Sequence, residues 1–168
     1  RVLHNILPPT IANRVVRGEE RIAESFDSVT VLFADIVGFT LLSQHITATE
    51  LVTGLDLLFS QFDELAEKHG LEKIKTIGDA YMAVSGLPVQ REDHAEPAAK
   101  MAMEMVEVVS QFRGLGEGAE LQVRIGLHTG EVVAGIIGKK KFAYDLWGDA
   151  VNTASRMESH GEAGKIHV

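Results

Sequence analysis

The stretch at residues 29–40, VTVLFADIVGFT, is the part of the sequence from which the fold can best be inferred. It is a nearly continuous apolar run that reaches Asp35 and then breaks at Gly38. This pattern predicts a buried central strand whose end carries one carboxylate into a backbone turn. Because an unpaired charge beside a core is costly, we expect Asp35 either to cap the strand end or to hold a cation. This stretch alone favours neither interpretation.

The segments that follow this stretch predict a helix, a hairpin and a second helix. Apolar residues recur at helical spacing over about 49–68, and Gly70 stands where a helix C-cap is expected. Residues 71–77 and 80–85 are predicted strands joined by a two-residue turn at Gly78 and Asp79. A helix is predicted over about 95–112, and polar residues with glycines follow it.

The last third of the chain alternates again between strand and helix signals. Residues 121–127 and 131–137 are predicted as two separate strands, and a hairpin tip at Lys139–Lys141 returns along 142–144. A helix is expected from an N-cap at Asp149 to about His160. Residues 165–168 begin a last strand.

The predicted order of elements is strand, helix, hairpin, helix, strand, hairpin, helix, strand. Such a βαββαβ core is the ferredoxin-like arrangement, an α+β fold with a mostly antiparallel sheet and helices on one face. The second hairpin and third helix are additions to that core. In this arrangement the first strand is central, so Asp35 should lie beside the Gly78–Asp79 turn.

Length and composition limit the classes of protein that need to be considered. The 168 residues fit one domain at 25–168 after an N-terminal linker segment at 1–24. A net charge of −8 argues against nucleic acid or an anionic membrane as the main partner. There is no cysteine, which excludes disulfides, zinc–thiolate sites and thiol catalysis. With no signal peptide and no apolar run of about 20 residues, we expect a cytoplasmic location.

Two carboxylates converging at one end of a sheet can hold a pair of hard cations, and oxygen ligands suit Mg²⁺ or Mn²⁺. The turn Gly38-Phe39-Thr40 offers backbone N–H groups to an anion. Together these features predict a nucleoside triphosphate site. The segment at 135–140, GIIGKK, lacks the spacing and the Ser or Thr of a P-loop, so that route is excluded.

Four more residues suggest nucleotide contacts. Asn152 and Arg156 are four apart on one predicted helix face, where an amide and a guanidinium could contact ribose and phosphate. Lys75 could donate to adenine N1 while Asp145 accepts from the N6 amino group, and guanine reverses both demands. For Asn152 and Arg156 taken alone, a surface pair exposed to solvent would be the simpler interpretation.

Four motifs in order carry a resemblance to a known family: FADIVGFT at 33–40, KIKTIGDAYMAVSG at 73–86, RIGLHTGEVVAGIIG at 124–138 and YDLWGDAVNTASRME at 144–158. Through them the sequence resembles the catalytic domain of class III nucleotidyl cyclases, over nearly the whole chain. The resemblance is to the adenylyl cyclase type, bacterial-like, because guanylyl cyclases typically carry Glu and Cys where this chain has Lys75 and Asp145.

The resemblance implies a role for each site residue. Asp35 and Asp79 would bind two Mg²⁺ or Mn²⁺ ions, the Ile36 carbonyl would add a ligand, and the amides around Gly38, Phe39 and Thr40 would hold the terminal phosphates. Lys75 and Asp145 would select adenine. Asn152 would orient the ribose, and Arg156 would stabilise charge on the α-phosphate.

The resemblance also implies an activity and an assembly. The expected reaction converts ATP to 3′,5′-cyclic AMP and pyrophosphate, in signalling, at sites shared between the subunits of a homodimer. A family lysine in a final C-terminal hairpin is missing, and the first and last residues suggest a piece of a longer protein with an upstream regulatory or membrane domain. The alternatives are a guanylate cyclase and a catalytically impaired, nucleotide-binding regulatory domain.

Overall fold

The structure is a computed structural model that describes residues 7–19, 21–38, 44–112, 121–138 and 143–168. Its elements follow one another as α1 (Pro9–Val16), β1 (Ala23–Val37), α2 (Ala48–His69), β2 (Glu72–Ile77), β3 (Ala80–Ser85), α3 (Ala95–Gln111), β4 (Gln122–Ile137), β5 (Ala143–Trp147), α4 (Asp149–Ser159) and β6 (Ile166–His167).

The strands form one sheet in the order β2-β3-β1-β4-β5, with β6 added to β4. The β1 strand is central and pairs antiparallel with β3 on one side and β4 on the other. The short β6 strand runs parallel to β4 and pairs with it at Ile125 and Gly126. The predicted α+β fold with a mostly antiparallel, ferredoxin-like sheet is therefore confirmed.

Two strands are longer than the sequence predicted. The β1 strand begins at Ala23, six residues before the apolar run. The predicted strands 121–127 and 131–137 are wrong as separate elements, because β4 runs unbroken through Thr129 and Gly130. These two residues pair with Thr30 and Val29 of β1, so the chain continues along the sheet where a turn would otherwise be expected.

Helices α2 and α3 cover one face of the sheet. The N-terminus of α2 has a capping box formed by Thr47 and Glu50, and Gly70 ends the helix in the left-handed conformation at φ 74°. Burying one large apolar side chain stabilises the fold by about 1.5–3 kcal/mol. The fully buried ones on this face include Leu32, Leu58, Phe62, Tyr81, Met101, Met105 and Ile125.

Helices α1 and α4, which are not part of the βαββαβ core, contribute to a second core on the other face of the sheet. Gly126 of β4 explains how α4 packs. A Cβ on Gly126 would lie 2.1 Å from the backbone nitrogen of Glu158 and 2.7 Å from the carbonyl oxygen of Ala154. Only glycine therefore allows the backbone of α4 to lie directly on the sheet.

The start of α4 differs from the prediction in one respect. Asp149 is the first helical residue, and Gly148 at φ 132° occupies the N-cap without a side-chain cap bond. A carboxylate in the first turn still interacts favourably with the helix dipole. Residues 139–141, the predicted hairpin tip, lie outside the described residues. None of the helices in the described ranges combines the length and the hydropathy that a membrane span requires.

Candidate active site

The two predicted metal-binding aspartates lie side by side at one end of the sheet. Asp35, near the end of β1, pairs with Ala80, the first residue of β3. Asp79 lies in the turn between β2 and β3, and its carbonyl accepts a hydrogen bond from the Ile36 N–H at 3.1 Å. The register of β1 with the hairpin therefore brings Asp35, Ile36 and Asp79 together.

The electrostatics of Asp35 reflect this crowding of acids. Burial, followed by the negative charges of Asp79 and Glu158 and a hydrogen bond with Asp79, raises the pKa of Asp35 to about 6, and Arg124 opposes the rise. A carboxylate whose charged form is disfavoured by neighbouring acids gains from a nearby cation. The pair is therefore suited to binding a positive charge.

Arg124 is a residue of this site that the sequence reasoning missed. It stands opposite Asp35 on β4, donates from Nη2 to the Asp35 carboxylate at 3.2 Å, and donates from Nε to Glu158 of α4 at 2.7 Å. The one sequence signal is that Gln122 and Arg124 alternate with apolar residues, which indicates a polar strand face. The partners of Arg124 depend on the β1–β4 register and on the packing of α4, which no local pattern encodes.

Lys75 and Asp145 form a second group. The Lys75 ammonium of β2 donates to Asp145 Oδ2 of β5 at 2.8 Å, and Asp145 Oδ1 accepts from the Leu146 N–H at 2.8 Å. The side chain of Asp145 is 16% exposed and that of Lys75 is 42% exposed. A donor and an acceptor thus stand next to each other at a position that solvent can reach.

Asn152 and Arg156 lie one turn apart on α4, and both are exposed. The Arg156 guanidinium donates to the hydroxyl of Thr153 on its own helix at 3.2 Å. Such a short local contact leaves the guanidinium able to reorient towards an anion. In the turn predicted to bind an anion, Gly38 has φ 94°, a conformation that favours glycine, whereas Phe39 and Thr40 lie outside the described residues.

The described residues contain no group of three or more His, Cys, Asp or Glu side chains placed to hold a metal. Two carboxylates and a backbone carbonyl would make an incomplete cage. Such a site fits Mg²⁺, which keeps waters and substrate phosphates among its ligands and is seldom enclosed by protein alone.

The chain is similar over nearly its whole length to two named proteins. It is 49% identical to an adenylate cyclase of Mycobacterium tuberculosis over 168 residues, and 50% identical to the human atrial natriuretic peptide receptor 2 over 169 residues. Each match covers 99% of this chain, but only 38% of the mycobacterial protein and 16% of the human receptor. The chain therefore corresponds to a minor part of either relative.

A solved structure has the same fold. The catalytic core of a rhodopsin-guanylyl cyclase with converted specificity, in complex with ATPalphaS, superposes with a TM-score of 0.81 at 42% identity and covers 86% of this chain and 78% of that one. The family profile described as the adenylate and guanylate cyclase catalytic domain matches residues 22–168. This chain therefore belongs to the family of adenylate and guanylate cyclase catalytic domains, the class III nucleotidyl cyclases.

Proposed function

We propose that this chain is the catalytic domain of an adenylate cyclase, which converts ATP to 3′,5′-cyclic AMP and pyrophosphate. The observation that carries the choice of ATP is the adjacent donor and acceptor of Lys75 and Asp145, at 2.8 Å. Adenine offers an acceptor at N1 beside a donor at N6, which this pair complements. Guanine offers the opposite pattern, so it would leave both polar groups mispaired.

The remaining residues would act on the sugar and the phosphates. Asn152 would orient the ribose, so that its 3′-oxygen attacks the α-phosphorus in line, and the exposed Arg156 would neutralise charge that develops on the α-phosphate. Arg124 adds a fixed cation beside the two aspartates, where the phosphates of a bound nucleotide would meet it.

Asp35 and Asp79, with the Ile36 carbonyl, would hold two Mg²⁺ or Mn²⁺ ions. The support from this chain is the position of Asp35 beside Asp79, with a pKa of Asp35 that is raised first by burial and then by the negative charge of Asp79. When bound, such ions lower the pKa of the attacking 3′-hydroxyl and neutralise the leaving pyrophosphate. Arg124 and Glu158 shape the site around the two aspartates, because Arg124 donates both to Asp35 and to Glu158 of α4.

A homodimer with shared sites is part of the proposal. Two large apolar side chains near the base-reading pair are exposed in the single chain, Ile77 at 59% and Trp147 at 42%. Apolar surface of this kind is often covered by a partner. Because one chain carries both the aspartates and the nucleotide-reading residues, two copies would form two equivalent sites. A cytoplasmic location and an upstream regulatory or membrane domain also belong to the proposal for the whole protein.

Parallel assays of ATP and GTP turnover, over a range of protein concentrations and with Mg²⁺ or Mn²⁺, test the proposal. We expect kcat/KM for ATP to exceed that for GTP by more than about tenfold, since mispaired polar groups in a site of this kind cost at least that much. Specific activity should rise with protein concentration if the sites are shared. A smaller preference for ATP, or one for GTP, would refute the assignment of the base.

Guanylate cyclase is the second candidate. The observation in its favour is the 48% identity to a receptor-type guanylate cyclase of Caenorhabditis elegans, close to the 49% identity to the adenylate cyclase of Mycobacterium tuberculosis. Overall identity reports the shared fold and the chemistry of the family. The choice of base depends on a few side chains, and the same assay distinguishes the two activities.

A further inference from the structure

The β2 strand contains a β-bulge immediately before Lys75. Lys73 pairs with Ala83 and Lys75 pairs with Met82, so Ile74 is an extra residue without a partner on β3. In a regular strand, residues two apart face the same side of the sheet. One inserted residue reverses this relationship. Lys73 and Lys75 therefore face opposite sides of the sheet.

The contacts of the two lysines agree with this reversal. Lys73 shares its face with Ala83, in the core under α2 and α3, and its ammonium lies 3.1 Å from the carboxylate of Asp63 on α2. Lys75 shares its face with Met82, in the core on the other side, and reaches Asp145. Without the bulge, Lys75 would face α2.

Asp63 is itself fixed by a buried group. One of its carboxylate oxygens accepts a hydrogen bond from the Tyr81 hydroxyl at 2.8 Å. Tyr81 is fully buried, and its ring centroid lies 5.7 Å from that of Phe59 and 5.4 Å from that of Phe62. The Lys73 ammonium also lies 5.6 Å from the centroid of the Tyr81 ring. The acid that meets Lys73 is thus anchored to the rigid core.

We propose that Asp63 is a positioning residue for Lys75. Its ion pair holds Lys73, the residue before the bulge, against α2. This contact fixes the rotation of the β2 backbone at the bulge, so that Lys75 faces Asp145. The consequence for choosing between ATP and GTP rests on the proposed function. The geometric part, that Asp63 and Lys73 maintain the Lys75–Asp145 contact, does not.

Zero-length carbodiimide crosslinking followed by mass spectrometry tests the geometric part directly, because it joins an amine to a carboxylate only when the two are in contact. Lys73→Met keeps the aliphatic stem without the charge, and Asp63→Asn keeps an acceptor for Tyr81. Both should lower the yield of the 75–145 crosslink about two- to fivefold, the range expected for a partly exposed ion pair. Lys73→Arg should restore it.

The matched control is Lys68→Met, which removes a different ion pair of α2, the one between Lys68 and Glu104 at 2.8 Å. The Lys100–Glu96 crosslink, from a pair at 3.0 Å on α3, provides the internal reference for yield. An unchanged 75–145 yield in both Lys73→Met and Asp63→Asn would overturn the proposal, whereas a loss shared by Lys68→Met would assign the effect to general loosening and overturn it equally.

The ratio of kcat/KM for ATP to that for GTP, measured on the same variants, separates the two proposals. A fall of about two- to fivefold in Lys73→Met and Asp63→Asn, but not in Lys68→Met, would support both. If the crosslink is lost while the ratio stays at the wild-type value, the positioning of Lys75 stands and its role in reading the base is refuted.

Discussion

Lys75 donates to Asp145 at 2.8 Å, although β2 and β5, which carry the two residues, are the first and last strands in the order of the sheet. The sheet must therefore curl enough to bring its two edges within the reach of one side chain. An ion pair across these edges joins elements that share no backbone ladder. A bound purine would have to compete with this contact, since each partner would exchange a charged neighbour for a base edge.

Exchanging both residues should change the preferred nucleotide. In Lys75→Glu with Asp145→Cys, the donor for adenine N1 becomes an acceptor for the N1 proton of guanine, and the acceptor for N6 is lost. We expect kcat/KM for ATP to fall by about 10²-fold or more, with a gain for GTP. Lys100→Glu, a charge reversal at an exposed lysine of α3, is the comparison. Retained ATP selectivity in the double variant would exclude Lys75 and Asp145 from base reading.

The aspartates should be needed for both metal binding and turnover. Asp35→Ala and Asp79→Ala each remove a carboxylate from the pair, so we expect no detectable cyclic nucleotide and weakened Mn²⁺ binding by electron paramagnetic resonance. Asp27→Ala, an exposed acid at the other end of β1, should retain both properties. Normal turnover in either site variant would contradict the metal assignment, provided that circular dichroism shows a folded protein.

Arg156 should contribute to turnover more than to stability, because its side chain is exposed and its hydrogen-bond partner among the described residues is Thr153 of its own helix. By analogy with removing one donor to a transition state, Arg156→Ala should lower kcat by about 10²–10³-fold. The melting temperature should stay near that of Arg17→Ala, an exposed arginine after α1. An effect confined to the melting temperature would mean that Arg156 has a structural role.

The parts of the fold and site that the sequence predicts are those determined by local chemistry. The apolar run before Asp35, the helical spacing closed by Gly70 and the Gly78–Asp79 turn each predict their own element, and the known order of a βαββαβ sheet then places Asp35 beside Asp79. Arg124 is different, because its contact with Asp35 depends on the pairing of strands 89 residues apart in the chain. The opposite faces of Lys73 and Lys75 were also missed, since the letters KIK indicate a regular alternation.

Gly126 should be intolerant of any side chain. A methyl group there would meet the backbone of α4 at 2.1 Å, and backbone cannot rotate away as a flexible side chain can. We expect Gly126→Ala to lower the free energy of unfolding by about 3 kcal/mol or more, in the upper range for overpacking. In Gly130→Ala the new methyl group would meet the Ala150 side chain at 3.0 Å, so the loss should be about 1 kcal/mol. Urea unfolding measures both, and equal losses would contradict this account of the packing.

Glu72 should make stability depend on pH. Burial raises the pKa of Glu72 from 4.5 to about 7, on a strand position that pairs with the fully buried Val84. Between these two values the unfolded chain releases the proton while the folded chain keeps it, so stability falls as the pH rises from 4.5 to about 7 and is constant above that. Glu72→Gln removes this loss, and its gain over the wild type should grow through the same window, to about 3 kcal/mol at most.

Thermal unfolding followed by circular dichroism at pH 4.5, 6 and 8 measures this gain, because these values lie at the lower end of, within and above the window for Glu72. Glu64→Gln, at an exposed position of α2, controls for the loss of one surface charge. A difference between Glu72→Gln and the wild type that is the same at all three pH values, or that shrinks as the pH rises, would mean that Glu72 is charged in the folded protein throughout. The carboxylate would then have to be solvated or paired, and its burial beside Val84 would not be the dominant influence on it.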